Sequence, residues 1–239
     1  MRNKKVLIVG ATSGIGRSLA TLYNRSGCTL GITGRRGQLL EELQHQLPGP
    51  VFTESFDVTG TENIRHIETL VEKMGGLDLL IYNSGYGEVS ESLNRDIDKR
   101  IIETNVSGFA EIVNWAFNYF QKQGFGHIAA TSSVGSNRGT AYAPAYSASK
   151  AFMSNYMEGL YMKASKHKIN VSITDIQPGF VDTKEVKNKR FWVIPVDRCV
   201  QQMYTAIEKK KFRVYVSKRW RLVVWLMRIM PISVYKRIG

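Results

Sequence analysis

Tyr146 and Lys150, four positions apart, could do chemistry together. On a helix they lie on one face, one turn apart. A free phenol titrates at about pH 10, and a neighbouring ammonium lowers its pKa by favouring the phenolate. The pair is therefore a candidate for proton transfer, although the same spacing also occurs on solvated helix faces.

A glycine-rich turn near the N-terminus could hold a pyrophosphate. It reads Gly10-x-x-x-Gly14-x-Gly16, follows the apolar segment Lys4–Val9 and precedes apolar residues at helical spacing. Glycines let the backbone approach an anion, and the N–H groups that open the next helix attract its charge. The alternative is a tight turn without a ligand. The predicted contacts are Gly10, Thr12, Ser13, Gly14, Ile15 and Gly16.

Two arginines follow the second predicted strand, Thr29–Thr33. A carboxylate there would bind both ribose hydroxyls of NAD, but the chain has Gly34, Arg35 and Arg36. Guanidinium groups suit a 2′-phosphate, so we predict NADP(H) in preference to NAD(H). We favour Arg35 for this contact, since Arg36 could simply begin a solvated helix.

Strand and helix patterns alternate along the chain without a linker or a low-complexity segment. The remaining predicted strands are Val51–Phe56, Leu77–Ile81, Gly126–Ala130, Asn170–Ile176 and Phe212–Val216, and helices are predicted near 37–46, 61–74, 96–121, 146–167 and 197–208. This alternation predicts one doubly wound α/β domain, a Rossmann fold with a mostly parallel seven-stranded sheet. Ligands of such a domain bind at the carboxyl ends of the strands, where Asp57 and Val58 could contact adenine. Asp57 could equally cap the next helix.

Six motifs taken together resemble the classical short-chain dehydrogenase/reductase family over residues 4 to 216. They are the glycine turn, Asn83-Ser84-Gly85, Asn105, Ser133, Tyr146-x-x-x-Lys150 and Pro178-Gly179. The spacing to Tyr146 selects Ser133 over Ser132. Two positions depart from the family pattern, with Val9 where a threonine is usual and Tyr82 where an asparagine is usual.

The resemblance implies an oxidoreductase that transfers a hydride between a nicotinamide and a carbonyl or alcohol. It assigns Tyr146 as general acid or base, Ser133 as hydrogen-bond donor to the substrate oxygen, and Lys150 as the group that favours phenolate and holds the nicotinamide ribose. Asn105 is assigned to a helix distortion that holds a relay water. The further cofactor contacts that it implies are Asn83, Gly85, Pro178, Gly179, Val181 and Thr183. A homodimer or tetramer through the helices at 96–121 and 146–167 is also expected.

Composition and charge limit the other function classes. Ten of the 33 basic residues lie in 209–239, a segment with no acid, and the other 208 residues carry 23 basic and 20 acidic side chains. A basic body that wraps nucleic acid is therefore not indicated, although the tail alone could bind it. Cys28 and Cys199 match no metal or disulfide spacing, no metal site is predicted, and a cytoplasmic location is expected.

Two segments bear on the substrate and on partners. Residues 184–196 lie where the family keeps a substrate lid, and Phe191, Trp192 and Tyr86 could line an apolar pocket or pack against the core. Residues 217–239 form an apolar, basic extension of the domain at 1–216. It has two apolar stripes. One stripe would suffice to pack on the domain, and the second could contact a membrane surface, contact a second subunit or cover the pocket. The main alternative function is a regulatory protein that binds NADP(H) without turnover.

Overall fold

The seven predicted strands form one parallel sheet in the computed structural model, which describes residues 3–89, 92–183 and 192–237. The strands are β1 (Lys5–Val9), β2 (Thr29–Gly34), β3 (Val51–Ser55), β4 (Leu79–Tyr82), β5 (Gly126–Thr131), β6 (Val171–Pro178) and, last in the chain, β9 (Arg213–Val216). Their order across the sheet is β3-β2-β1-β4-β5-β6-β9, and neighbouring strands are parallel throughout. The predicted doubly wound α/β fold is confirmed.

Helices connect the strands because parallel neighbours need a crossover. They are α1 (Gly14–Arg25), α2 (Gly37–Gln46), α3 (Asn63–Met74), α4 (Arg95–Ile102), α5 (Gly108–Gln123), α6 (Pro144–Lys166) and α7 (Val196–Glu208). The single helix predicted over 96–121 is interrupted by a π-helical turn, Glu103–Ser107, between α4 and α5. This interruption contains Asn105, where the family resemblance implies a distortion.

Alternate residues of β1 face opposite layers of the molecule, as the period of a strand dictates. Val6 and Ile8 pack with α1, α2 and α7, whereas Leu7 and Val9 pack with α3, α5 and α6. The buried departure from the family pattern, Val9, therefore lies among apolar side chains. Helices cover both faces, so the sheet presents its carboxyl edge as the place for polar side chains.

The order in which the chain adds strands to the sheet reverses between β1 and β4. The chain passes from β1 to β2 on one side, and β4 pairs with β1 on the other side. In such sheets the crevice at this point receives the ligand. The loops that follow β1, β4, β5 and β6 all begin at this edge, and they carry several of the predicted site residues.

A second, small parallel pairing was not predicted. Strand β7 (Val181–Asp182) pairs with β8 (Ile194–Pro195), which joins the end of the predicted lid to the segment after Gly179. The rest of the predicted lid, including Phe191, lies largely outside the described residues. A 3₁₀ turn, Val134–Asn137, follows β5.

The C-terminal extension forms α8 (Trp220–Ile229) and a short helix, α9 (Ile232–Tyr235). Trp220 and Val224 are buried against Val134 of the 3₁₀ turn, with Val223 partly buried beside them. One of the two predicted apolar stripes thus faces the domain. Within the described ranges, no helix has the length and apolar character needed to cross a membrane.

Candidate active site

Tyr146 and Lys150 lie in the first turns of α6, which begins at Pro144. Proline suits a helix start because its missing N–H has no partner to lose there. The Lys150 ammonium lies 5.8 Å from the centroid of the Tyr146 ring and donates a hydrogen bond to the Thr131 carbonyl at 3.0 Å. The helix therefore brings the predicted phenol and ammonium together at the carboxyl end of β5.

Lys150 is almost completely buried, and burial lowers the pKa of its ammonium to about 8. The negative charge of Asp175 acts in the opposite direction and favours the ammonium. A lysine in this environment is poised to lose a proton near the pH of the cell, unlike a solvated lysine.

Asp175, on β6, is a fully buried carboxylate that the sequence patterns did not single out. Its oxygens accept hydrogen bonds from Ser132 Oγ (2.5 Å), Ser154 Oγ (2.6 Å), Gln177 Nε2 (2.8 Å) and Arg213 Nε (3.1 Å). A buried charge needs such a set of partners to remain ionised. A single acidic residue within a predicted buried strand was the signal that could have identified it.

Ser132 and Ser133 have different surroundings. The Ser132 hydroxyl is buried and donates to Asp175 and to a backbone carbonyl, whereas Ser133 is partly exposed and its Oγ accepts from the Gly135 N–H at 3.0 Å. A Cβ on Gly135 would lie 3.4 Å from Ser133 Oγ and 4.0 Å from Tyr146 Cε1. Ser133 and Tyr146 therefore flank one space. The Ser132 hydroxyl proton is already donated to buried partners and is not available there.

Asn105 is buried in the π-helical turn and fixes the loop that follows β4. Its Oδ1 accepts from the Tyr86 N–H at 2.8 Å, while its Nδ2 donates to the Tyr86 carbonyl at 2.7 Å and to Ser149 Oγ at 3.0 Å. The Tyr82 hydroxyl donates to the Thr104 carbonyl at 3.1 Å, so this departure from the family pattern also ties β4 to the π turn. Wide turns of this kind are frequent at functional sites.

The loop after β4 runs between Lys150 and Asn105 at Gly85. A Cβ there would lie 3.2 Å from Lys150 Nζ and 3.5 Å from Asn105 Oδ1. Asn83 connects this loop to both neighbouring strands, because its Nδ2 donates to the Gly10 carbonyl (3.2 Å) and its Oδ1 accepts from Thr131 Oγ1 (3.1 Å). Four predicted site residues, Asn83, Gly85, Asn105 and Lys150, thus form one connected group.

The glycine turn has the close packing that its glycines allow. Gly10 has φ +88°, and a Cβ there would lie 2.7 Å from the backbone nitrogen of Ser84. A Cβ on Gly16 would overlap the Gly10 carbonyl, so α1 begins directly against the turn. Thr12, Ser13, Gly14 and Ile15 remain at least partly exposed. Since the first turn of α1 carries no acidic residue, the turn fits an anionic pyrophosphate.

The two arginines after β2 are both exposed but have different partners. Arg36 donates from NH2 to Thr12 Oγ1 (2.7 Å) and Ser13 Oγ (3.0 Å), which places its guanidinium on the glycine turn. Arg35 approaches Asp57 at 3.5 Å. Asp57 Oδ1 also accepts from the Thr59 N–H and hydroxyl, and Val58 is buried beside it. The arginine that bonds to the glycine turn is therefore Arg36, whereas the sequence favours Arg35 for the 2′-phosphate.

The segment after β6 crosses to the glycine turn. A Cβ on Gly14 would lie 3.4 Å from Thr183 Cγ2. Pro178 and Val181, earlier in the same segment, are buried. A Cβ on Gly179 would overlap the indole ring of Trp220 in α8. The Trp220 ring also packs edge to face against the Trp192 ring, with 6.2 Å between the two ring centroids. The C-terminal extension therefore packs directly on the predicted nicotinamide segment, a contact that the sequence did not indicate.

Comparisons with known proteins show which family this chain belongs to. The sequence model described as short chain dehydrogenase matches residues 4–193. A Myxococcus xanthus protein named as an uncharacterized oxidoreductase is 34% identical over 80% of this chain and 77% of its own length. Dehydrogenase/reductase SDR family member 7B of Mus musculus is 30% identical over 77% of this chain, which spans 59% of that protein.

Solved structures share the fold. A short chain dehydrogenase/reductase from Burkholderia phymatum in complex with NAD has a TM-score of 0.84 and 21% identity, covering 94% of this chain and 92% of that one. The NADPH-dependent 3-quinuclidinone reductase from Rhodotorula rubra has a TM-score of 0.79 and 22% identity, covering 93% and 92%. The chain belongs to the short-chain dehydrogenase family of oxidoreductases.

Proposed function

We propose that this protein is an NADP(H)-dependent oxidoreductase that interconverts a carbonyl compound and an alcohol. One observation carries the proposal: Ser133 and Tyr146 flank the same space, and the buried Lys150 ammonium lies 5.8 Å from the Tyr146 ring centroid, beside Gly85 of the loop after β4. A protein that only binds a dinucleotide has no need of a buried ammonium next to a partly exposed phenol.

The roles of the four polar residues follow from their contacts. Tyr146 transfers the proton between its phenol and the substrate oxygen, and Ser133 donates a hydrogen bond to that oxygen as negative charge develops. Lys150 favours the phenolate, and Asn105 fixes the loop at Tyr86 and Gly85 that passes Lys150. A bound nicotinamide supplies or accepts the hydride.

The cofactor preference rests on Arg36 and Arg35. Hydroxyl groups of Thr12 and Ser13 hold the Arg36 guanidinium on the glycine turn, where it can form paired hydrogen bonds to a 2′-phosphate. Asp57, the carboxylate that approaches Arg35 at 3.5 Å, also accepts hydrogen bonds from Thr59. The Rhodotorula reductase is named for NADPH, whereas the Burkholderia enzyme was solved with NAD, so the arginines carry this choice.

The substrate that we propose is an apolar or lipid-like carbonyl compound or alcohol. The apolar character rests on the side chains of Leu93, Ile97, Ile101 and Tyr142 near the start of α6. The recess that they line, with Glu88 and Asp98 among them, has room for little more than one water molecule. Tyr86, in contrast, lies under the Arg100 guanidinium and bonds to Glu88, so its ring is engaged by charged neighbours. A homodimer or tetramer through α5 and α6, and a cytoplasmic location, remain predictions.

Cofactor titration followed by a substrate screen tests this function. Fluorescence titration should give a Kd for NADPH at least about tenfold lower than that for NADH, since one charge-assisted hydrogen bond is worth that ratio. Aldehydes and ketones of increasing chain length should then oxidise NADPH, with kcat/KM rising as the chain lengthens. NADPH binding without turnover of any carbonyl compound would instead support the regulatory alternative.

A further inference from the structure

The outer face of α8 combines large exposed apolar side chains with basic neighbours. Leu222, Trp225, Leu226 and Ile229 recur at the spacing of one helix face, and the first, second and fourth of them are 61%, 56% and 58% exposed. Ile232 and Val234 extend the exposed apolar surface into α9. Isolated exposed apolar residues are ordinary, but a continuous stripe marks an interaction surface.

The exposure of this stripe does not come from a loosely attached helix. The opposite side of α8 is buried through Trp220 and Val224, and Arg228 Nε donates to Asn137 Oδ1 at 3.0 Å. Tyr235 donates from its hydroxyl to the Gly139 carbonyl at 2.9 Å, and the Arg138 guanidinium lies 4.6 Å from the Tyr235 ring centroid. The inner face is therefore fixed to the domain while the outer face is presented to the surroundings.

Charge identifies what this face can bind. Lys218, Arg219, Arg221, Lys236 and Arg237 are exposed around the stripe, and the sequence contains no acidic residue from 209 to its end. Apolar side chains including tryptophan, flanked by lysine and arginine, are the composition of helices that lie in the headgroup region of an anionic bilayer.

Other occupants fit less well. A second copy docked through a two-fold axis would bring two acid-free basic segments against each other, which costs free energy. A nucleic acid would use the arginines and lysines but would leave four large apolar side chains without a partner. We infer that α8 and α9 form a docking face for anionic membrane lipid, with the apolar stripe inserted among the headgroups and the basic residues on the phosphates. This inference does not depend on the proposed reaction.

Vesicle co-sedimentation of the full chain tests the docking face. Vesicles of phosphatidylcholine with an equal amount of phosphatidylglycerol should bind the protein at low salt at least about tenfold more tightly than pure phosphatidylcholine vesicles, and 0.5 M NaCl should remove most of that difference. Equal binding to the two vesicle types, or no binding to either, would overturn the inference.

Matched variants separate insertion from simple charge attraction. Leu222→Ser with Trp225→Ser should weaken binding to the anionic vesicles at least about tenfold, while Phe125→Ser with Met162→Ser, exposed elsewhere, should not change it. Arg219→Glu with Arg221→Glu should weaken binding by a similar factor, compared with Lys122→Glu and Lys166→Glu. Unfolding temperatures of all variants check that each is folded.

Two results would contradict the inference directly. Full binding by the Leu222/Trp225 variant would show that charge alone attracts the protein. Light scattering that shows a dimer for the original chain and a monomer for this variant would assign the face to a contact between copies instead.

Discussion

At the end of the crevice that we assign to the nicotinamide, polar side chains are buried and bonded to one another. Lys150, Asn105 and Asp175 are all almost inaccessible, and each has defined partners. At the other end, Arg35 and Arg36 are exposed and rest on hydroxyl groups or on one carboxylate. Each end thus has a cationic side chain, but Lys150 is buried whereas Arg35 and Arg36 are exposed.

This contrast separates chemistry from recognition. A buried ammonium has a shifted pKa and couples to its neighbours, so its replacement should change rates and pH dependence. An exposed guanidinium keeps its charge and contributes mainly binding free energy, which solvent and salt reduce. Changes at the two ends should therefore be separable in experiment.

The largest effect is expected for Tyr146→Phe, which removes one oxygen from the buried end. Loss of a general acid should lower kcat/KM about 10²- to 10⁴-fold, measured as NADPH oxidation with the best carbonyl compound of the screen. The ring remains to fill its place against the loop at Gly87, so the Kd for NADPH should stay within about twofold. Turnover equal to that of the original chain would refute the assigned role.

A pH-dependent stability comes next, from the buried Lys150 ammonium. Its pKa is about 8 in the folded chain, against the ordinary 10.5 when unfolded, so between these values the unfolded chain binds more protons. The free energy of unfolding should therefore rise with pH in this window, by about 2 to 3 kcal/mol between pH 7 and pH 10.

Urea titrations of the original chain and of Lys150→Met would measure this rise. Other groups also titrate in the window, and the variant retains them, so only the difference between the two curves belongs to Lys150. Two parallel curves would mean that the ammonium is hydrated in the folded protein.

The smallest expected effect is on cofactor affinity, through the exposed Arg35 and Arg36. Arg36→Ala should raise the Kd for NADPH about 10- to 100-fold and leave the Kd for NADH nearly unchanged, since only NADPH has the 2′-phosphate. Arg35→Ala, with its partner Asp57 retained, is the matched control and should have the smaller effect. A larger loss in the Arg35 variant would restore the ranking that the sequence favoured.

Most of the fold could be predicted because strand and helix periods alternate clearly. The strands that lead into the glycine turn, Asn83, Ser133 and Pro178 were all recognisable from short apolar runs with polar ends. The β7–β8 pairing was not, because two-residue strands have no period that can be detected.

Side-chain partnerships were harder to foresee. The sequence shows two adjacent arginines but not that the Arg36 side chain turns back to Thr12 and Ser13, since that depends on the backbone at the N-terminus of α2. Asp175 was overlooked because its partners come from β5, α6 and β9, which are distant in the chain. Such networks depend on tertiary contacts that no local pattern records.

The contact between Gly179 and Trp220 has an evolutionary consequence. The indole ring occupies the volume that any side chain at position 179 would need, so Gly179 cannot be replaced unless Trp220 also changes or moves. A descendant that gains alanine at 179 must give up the aromatic residue that anchors α8, and a descendant that loses α8 is freed from this demand for glycine. As long as α8 is anchored by Trp220, the turn after β6 is therefore expected to keep its glycine.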